Sequence, residues 1–352
     1  MSARLMRRSA TSLVVGGVVV LGVLAAADAL RSGGDERTSS LEPTTTLHPR
    51  GRPKPAGTLR RDAISGQLVY SDLLCRLRTI ILPSLQRDQV LAENGSHLAQ
   101  CNFIIGAGRL LPAGSQVAPD DRTVARCRGG RAVVRDEVTD SVLAGAKGCP
   151  VAWRPFPDGR SQLTSVRGGE IVADGNVLVS HSELVAVARR NPLLVGLAPE
   201  IRPRVRISEL AWLDQERVAV ILDITVPHSQ SAEMLALLDR DRPIGLDTRF
   251  EGPMRGLVVS PHSNYLATEP GTVMDAHGRS WELPRKLGAI SVFGFSPDER
   301  WLAVGTRSSV YLVSVVDLER NEPQPRIDRV PILATHLVWE EGGAVTNTLR
   351  VG

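Results

Sequence analysis

Lysine is almost missing from this chain: Lys54, Lys147 and Lys286 are the only ones among 42 basic residues, so nearly every positive charge is an arginine. The net charge is only +4 over 352 residues and the basic excess gathers near the N-terminus, which gives no argument for a nucleic-acid partner. Aromatic residues make up 4%, too few for a platform on which bases would stack. The Gly-x-Ser-x-Gly signature of nucleophile-elbow hydrolases is absent, and so is the His-Glu-x-x-His signature of zinc hydrolases. Gly106-Ala107-Gly108 has neither the spacing nor the lysine of a phosphate-binding loop. Helical periodicity is scarce, and only one long apolar run occurs.

That run places the protein. Leu13 to Ala27 carries no charge, and Thr11 to Leu30 is long enough to cross a bilayer as a helix, since a span needs about 20 residues. Arg4, Arg7 and Arg8 precede it, which predicts residues 1–10 in the cytoplasm, a single-pass helix at 11–30 and the rest outside. The alternative is a signal peptide cleaved near Ala27, after Ala25-Ala26-Ala27, with a secreted product. Residues 31–56 hold Pro43, Pro49, Pro53 and Pro55 with no apolar period, and read as a disordered tether.

What the remaining chain has is a repeated phrase. Its clearest copy is Phe295-Ser296-Pro297-Asp298-Glu299-Arg300-Trp301-Leu302-Ala303-Val304-Gly305: a strand end, a turn, then a new strand. Proline presets φ for the turn, and the aspartate side chain can bond backbone N–H groups just beyond it. Aligned on the large apolar residue two places before the turn, the copies begin at Val117, Trp153, Trp212, Val259, Phe295 and Trp339, with spacings of 36, 59, 47, 36 and 44. A degenerate earlier copy is Ser65-Gly66-Gln67-Leu68-Val69-Tyr70. Units of this length hold about four short strands, one propeller blade each. Leu178 to Ser180, Val218 to Leu222, Leu257 to Val259 and Val310 to Val316 read as further strands. In the 59-residue unit, Ser180-His181-Ser182-Glu183 is a capping-box pattern and predicts an inserted helix ending before Pro192.

At these residues, Ser296 to Trp301 above all, the chain resembles the TolB-like and WD40-like β-propellers of bacterial envelopes. The resemblance covers residues 57–352 and implies an all-β propeller, six-bladed or alternatively seven-bladed, behind the N-terminal helix. The arginine-rich composition, with abundant Ala, Gly and Val, suggests a GC-rich, actinobacterial source. The last copy leaves one strand after its turn, Val345 to Val351, which predicts a ring closed by pairing the two chain ends.

Four cysteines allow three pairings. Cys75 and Cys127 sit at similar places past their turns, while Cys101 and Cys149 sit just before the next unit's first strand. The repeat therefore predicts Cys75–Cys101 and Cys127–Cys149, oxidised in an exported protein. No CxxC-like pair exists to favour zinc.

The acidic turn residues Asp120, Asp121, Asp158, Asp298 and Glu299 invite a site, but the turn itself explains them. Arg122, Arg160, Arg217 and Arg300 recur after those turns and form a possible binding rim. The histidines, His48, His97, His181, His228, His262, His277 and His336, are scattered along the chain. The expected function is a membrane-tethered, non-catalytic binding module without cofactor. Its partner would be another envelope or membrane protein, a peptide or a cell-wall polymer. The alternative is a lactonase-like propeller hydrolase with a metal in the central channel.

Overall fold

The computed structural model describes residues 64–341, apart from 75, 93–102, 107–108, 113, 121, 137–138, 192–193, 195–200, 228–230, 240–241 and 248–253. The expected membrane helix at 11–30, the tether at 31–56, the Cys75–Cys101 bridge and Val345 to Val351 fall outside the described residues.

Strand follows strand in chain order. β1 (Gly66–Ser71), β2 (Leu77–Leu82) and β3 (Gln86–Ala92) lie side by side. β4 (Phe103–Gly106) and β5 (Arg109–Pro112) make a separate two-stranded hairpin. Next come β6 (Ser115–Val117), β7 (Thr123–Arg128), β8 (Arg131–Asp136) and β9 (Ser141–Lys147). β10 (Val151–Pro155), β11 (Ser161–Arg167), β12 (Glu170–Ala173) and β13 (Asn176–Val179) follow, and then helix α1 (His181–Ala188). The longest sheet holds β14 (Arg204–Trp212), β15 (Arg217–Thr225), β16 (Ser231–Asp239) and β17 (Arg242–Asp247). After it come β18 (Arg255–Val259), β19 (Tyr265–Glu269), β20 (Thr272–Asp275) and β21 (Ser280–Glu282). β22 (Ile290–Phe295), β23 (Trp301–Thr306), β24 (Val310–Ser314), helix α2 (Val315–Glu319) and β25 (Ile327–Val330) precede the final strand, β26 (His336–Glu340).

Six of these sheets are four-stranded antiparallel meanders, the layout of propeller blades. β26 completes the first of them by pairing with β1, Leu68 opposite Trp339 and Ser71 opposite His336. A strand late in the chain thus pairs with the first described strand, and β1 has β26 on one side and β2 on the other. The first strands of successive sheets are neighbours in the order β6, β10, β14, β18, β22, β26, and β4 packs beside β26. All six repeat anchors, from Val117 to Trp339, lie on these first strands.

Stacking explains the apolar runs. Val218 to Leu222 of β15 is fully buried on both faces. Val218, Val220 and Leu222 join one core cluster, with Trp212 and α1, while Ala219 and Ile221 join another, with Leu266 and Met274. Alternate side chains thus feed the two neighbouring blade interfaces, at roughly 2–3 kcal/mol for each large side chain. α1 forms where the capping box predicts: Ser180 Oγ accepts from Glu183 N, and Glu183 Oε2 accepts from Ser180 N. Its Leu184, Val187 and Ala188 cover the same core as Ile207 and Trp212. The run Val310 to Val316 is shorter as a strand than expected. It stops at Ser314, whose Oγ accepts from Asp317 N and caps α2.

The repeated turns among the described residues lie on one face, here called the turn face, because antiparallel strands place alternate connections at opposite ends. Their aspartates are turn chemistry. Asp120 Oδ1 accepts from the backbone N–H groups of Arg122 and Thr123 at 2.9 and 2.8 Å, and Asp214 Oδ1 from those of Glu216 and Arg217 at 2.8 and 2.7 Å. Burial pushes the Asp214 carboxyl up, but these N–H groups and the Arg217 guanidinium outweigh it and hold it below the ordinary range. In the Phe295 copy, Ser296 Oγ accepts from Trp301 N at 3.0 Å and donates to Asp298.

Glu299 has a different job. It sits at φ 56°, only 5% exposed, and its carboxylate accepts from His262 N and Asn264 Nδ2, both at 2.6 Å, on the neighbouring blade. Glu299→Ala would leave these donors unpaired at the blade interface, so a loss of roughly 2–3 kcal/mol is expected. Urea melts of Glu299→Ala and Glu299→Gln check this, Gln retaining part of the bonding. A midpoint unchanged in both variants would contradict the assignment.

Candidate ligand-binding mouth and turn faces

A central cavity of about 800 Å³ runs between the first strands of the six four-stranded sheets. At one end it is bordered by Arg206, Gly256, Ser291 and His336, and toward the other by Pro261 and Trp339. The first end is opposite the turn face and is called the mouth. Bulges shape it. β14 shifts register between Ile207 and Glu209, β18 between Arg255 and Val258, and β22 between Ile290 and Val292. Gly256, at φ 67°, takes the left-handed conformation that the second bulge needs. Hydroxyls tie the bulged segments to the neighbouring strand: Ser208 Oγ donates to Ile221 O at 3.1 Å and Thr268 Oγ1 to Arg255 O at 2.7 Å.

Four ionisable side chains line the cavity: Arg206, Glu209, Glu269 and His336. Glu209 is already engaged, because its two carboxylate oxygens accept from Gly256 N and Leu257 N at 3.1 and 2.8 Å. Burial lifts Glu269 above the usual carboxylate range; Arg255 opposes this and Glu209 adds to it. Burial likewise pushes His336 below the usual histidine range. Among the described residues no group of three or more His, Cys, Asp or Glu could hold a metal ion. Of the described histidines, His181 begins α1, His262 and His277 lie in turns, and only His336 reaches the channel.

The His336 shift has a measurable consequence. Its folded pKa lies below the unfolded value of about 6.5, so its contribution to stability is complete above that value and is lost as pH falls through the folded pKa. The wild type is expected to lose stability on acidification below about pH 6.5, and His336→Gln to lose less over the same range. Denaturant melts at pH 7.5 and 5.5 test this, and identical pH slopes for the two proteins would refute it.

Cys127 and Cys149 are joined, with Cα atoms 6.0 Å apart, and both border the cavity. The bridge links the end of β7 to the segment entering β10, as the repeat predicts. Gly148, at φ 106°, packs so closely on the carbonyl of Val166 that a Cβ there would overlap it.

The four rim arginines lie on the turn face, three of them paired. Arg122 bonds Asp136, Arg160 bonds Asp158, and Arg217 bonds Asp214 and donates to Ala276 O on the next blade at 2.7 Å. Arg300 is exposed. The Arg160–Asp158 pair leaves the arginine side chain 81% exposed, so solvent screens it and it adds little to stability. A second recess on this face, about 670 Å³, is lined by Phe156, His262 and the already bonded Asp214 and Arg217.

The mouth face is different. Arg126, Arg128 and Arg131 surround the β7–β8 hairpin, with Lys147 at the end of β9 and Arg167 at the end of β11, and all five are exposed. Arg190 follows α1, and Arg202, Arg204 and Arg206 lead into β14, again all exposed. None of these nine bonds a carboxylate among the described residues. They surround one region. Gly148 N donates to Gly130 O, Val166 N donates to Pro150 O, Gly169 lies against His181, and α1 packs on β14. The sequence reading missed this cluster. Its readable signal was Arg202-Pro203-Arg204-Val205-Arg206, whose alternation puts three arginines on one side of an extended segment.

No family model and no curated protein matches the sequence. Among solved structures, hydrazine synthase of Kuenenia stuttgartiensis is similar at 14% identity and a TM-score of 0.41, over 75% of this chain and 83% of that one. The Cps50 (Swd1) β-propeller domain of Myceliophteria thermophila is similar at 10% identity and a TM-score of 0.40, over 77% and 86%. A chain of a mitotic checkpoint complex is similar at 14% identity and a TM-score of 0.44, over 87% and 96%. The propeller architecture of this chain rests on its own sheet order and strand register.

Proposed function

We propose that this chain is an extracytoplasmic β-propeller that binds a partner at its mouth face and catalyses no reaction. In this reading residues 1–10 stay in the cytoplasm, residues 11–30 hold the protein at the cytoplasmic membrane, and residues 31–56 are the tether. The β4–β5 hairpin, beside β26 and ahead of β6, is read as an incomplete seventh blade among TolB-like envelope propellers. The partner is an envelope protein or a cell-wall polymer.

The observation that carries the reading is the contrast between the two faces. On the turn face, three of the four recurring arginines are already bonded within the protein. Around the mouth, nine exposed basic residues are in no ion pair among the described residues, beside a cavity large enough to take an inserted segment. The cavity's ionisable groups do not form a nucleophile with its base, and Glu209 is committed to the backbone.

Photo-crosslinking in intact cells tests this. A crosslinking residue at position 204 on the mouth is expected to capture envelope material, and one at position 300 on the turn face to capture none. Equal yields from the two positions, or none from 204, would overturn the proposal.

A further inference from the structure

We infer that the mouth face binds a linear anionic polymer carrying a phosphate or a carboxylate on each repeat, read through arginine. This rests on the binding-module proposal and names its ligand chemistry and face.

Two observations converge on it. First, the cluster is unneutralised. Arg128, Arg131 and Arg167 stand on two adjacent hairpins and Arg202, Arg204 and Arg206 on the segment entering the next blade, all exposed and without a carboxylate partner among the described residues. Like charges held this close repel, and although Glu170 stands opposite Arg167 and Asp223 opposite Arg206 in strand register, neither carboxylate is in an ion pair with these arginines among the described residues. An anionic ligand would remove the repulsion.

Second, the groups sit on a rigid frame. The Cys127–Cys149 bridge fixes the Arg128 hairpin to the neighbouring blade, and Gly148 locks that junction against Val166. Arg204 and Arg206 belong to β14, whose pairing with β15 runs from Arg204 to Trp212. Cations spread across three sheets match a ligand that extends across blades rather than one small anion. Arginine forks also engage phosphate or carboxylate oxygens in pairs, which a lysine ammonium cannot do.

The test uses the full-length chain in neutral detergent micelles, with polyphosphate and polygalacturonate as probes. Both are expected to bind, with log K falling linearly in log salt. Arg128→Glu, Arg167→Glu and Arg204→Glu should each weaken binding at least several-fold and make the salt slope shallower by about one. The turn-face control Arg300→Glu should change neither. Melting transitions matching the wild type would establish that the variants fold. Absence of binding to both polymers, or equal losses in the mouth and turn-face variants, would overturn the inference. So would displacement of polymer when the micelles are doped with phosphatidylglycerol, which would point to lipid. If the crosslinker at position 204 captures an envelope protein while neither polymer binds, the binding module survives and its polymer ligand does not.

Discussion

Trp339→Ala is expected to lower stability by about 3–5 kcal/mol, a fall in melting temperature on the order of 10 °C. Trp339 is 5% exposed, packs with Leu68, Tyr70 and Trp301, and donates through Nε1 to Ser65 O at 3.0 Å. The side chain therefore fills core and bonds across the seam between the chain ends. Gly66 is the partner test. At φ 103°, a Cβ on it would overlap the Glu340 carbonyl oxygen and crowd the Trp339 indole, so Gly66→Ala should destabilise through the same seam. A chain ending at Ala334, without β26, should lose the cooperative transition of the full chain, which calorimetry checks. A wild-type transition in the chain ending at Ala334 would show that β26 does not close the architecture.

The second large effect is expected from Cys127→Ser with Cys149→Ser. The bridge closes a loop between residues 22 apart, worth roughly 3 kcal/mol in the chain-entropy account. Loss should appear in urea melts without reductant, and reductant should bring the wild type toward the double variant. Because the bridge also steadies the Arg128 hairpin, polyphosphate affinity should fall in the double variant even where it remains folded. A double variant as stable as the wild type would mean the bridge carries no stabilising constraint.

Much of this architecture was legible because turn chemistry is local. Pro297-Asp298 and its relatives declare themselves within a few residues, and each copy landed at the end of a first strand. The capping box at Ser180 was equally local, and α1 formed there. Two things were not legible in the same way. The β4–β5 hairpin carries no copy of the phrase, so alignment on the phrase passed over it. The pairing of charges depends on which ends of which strands meet. Arg122 finds Asp136, fourteen residues away, only because β7 and β8 form a hairpin with their far ends on the turn face. From spacing alone, Arg122, Arg160 and Arg217 looked as available as Arg204, and only the fold distinguishes them. Ser314-x-x-Asp317 was a readable cap, hidden by the apolar run around it.

The pairing of β26 with β1 also sets the phase between gene and ring. Each sequence unit begins with a first strand's end and its turn, while the closing sheet takes its first strand from the last unit and the other three from the first. The boundary of the repeated text therefore falls inside a blade, one strand out of step with the boundary of the folded object. A duplication or loss of one whole unit anywhere in between would change the number of blades yet leave the interlocked pair of ends untouched. A ring built this way can vary its circumference without ever having to reinvent its clasp.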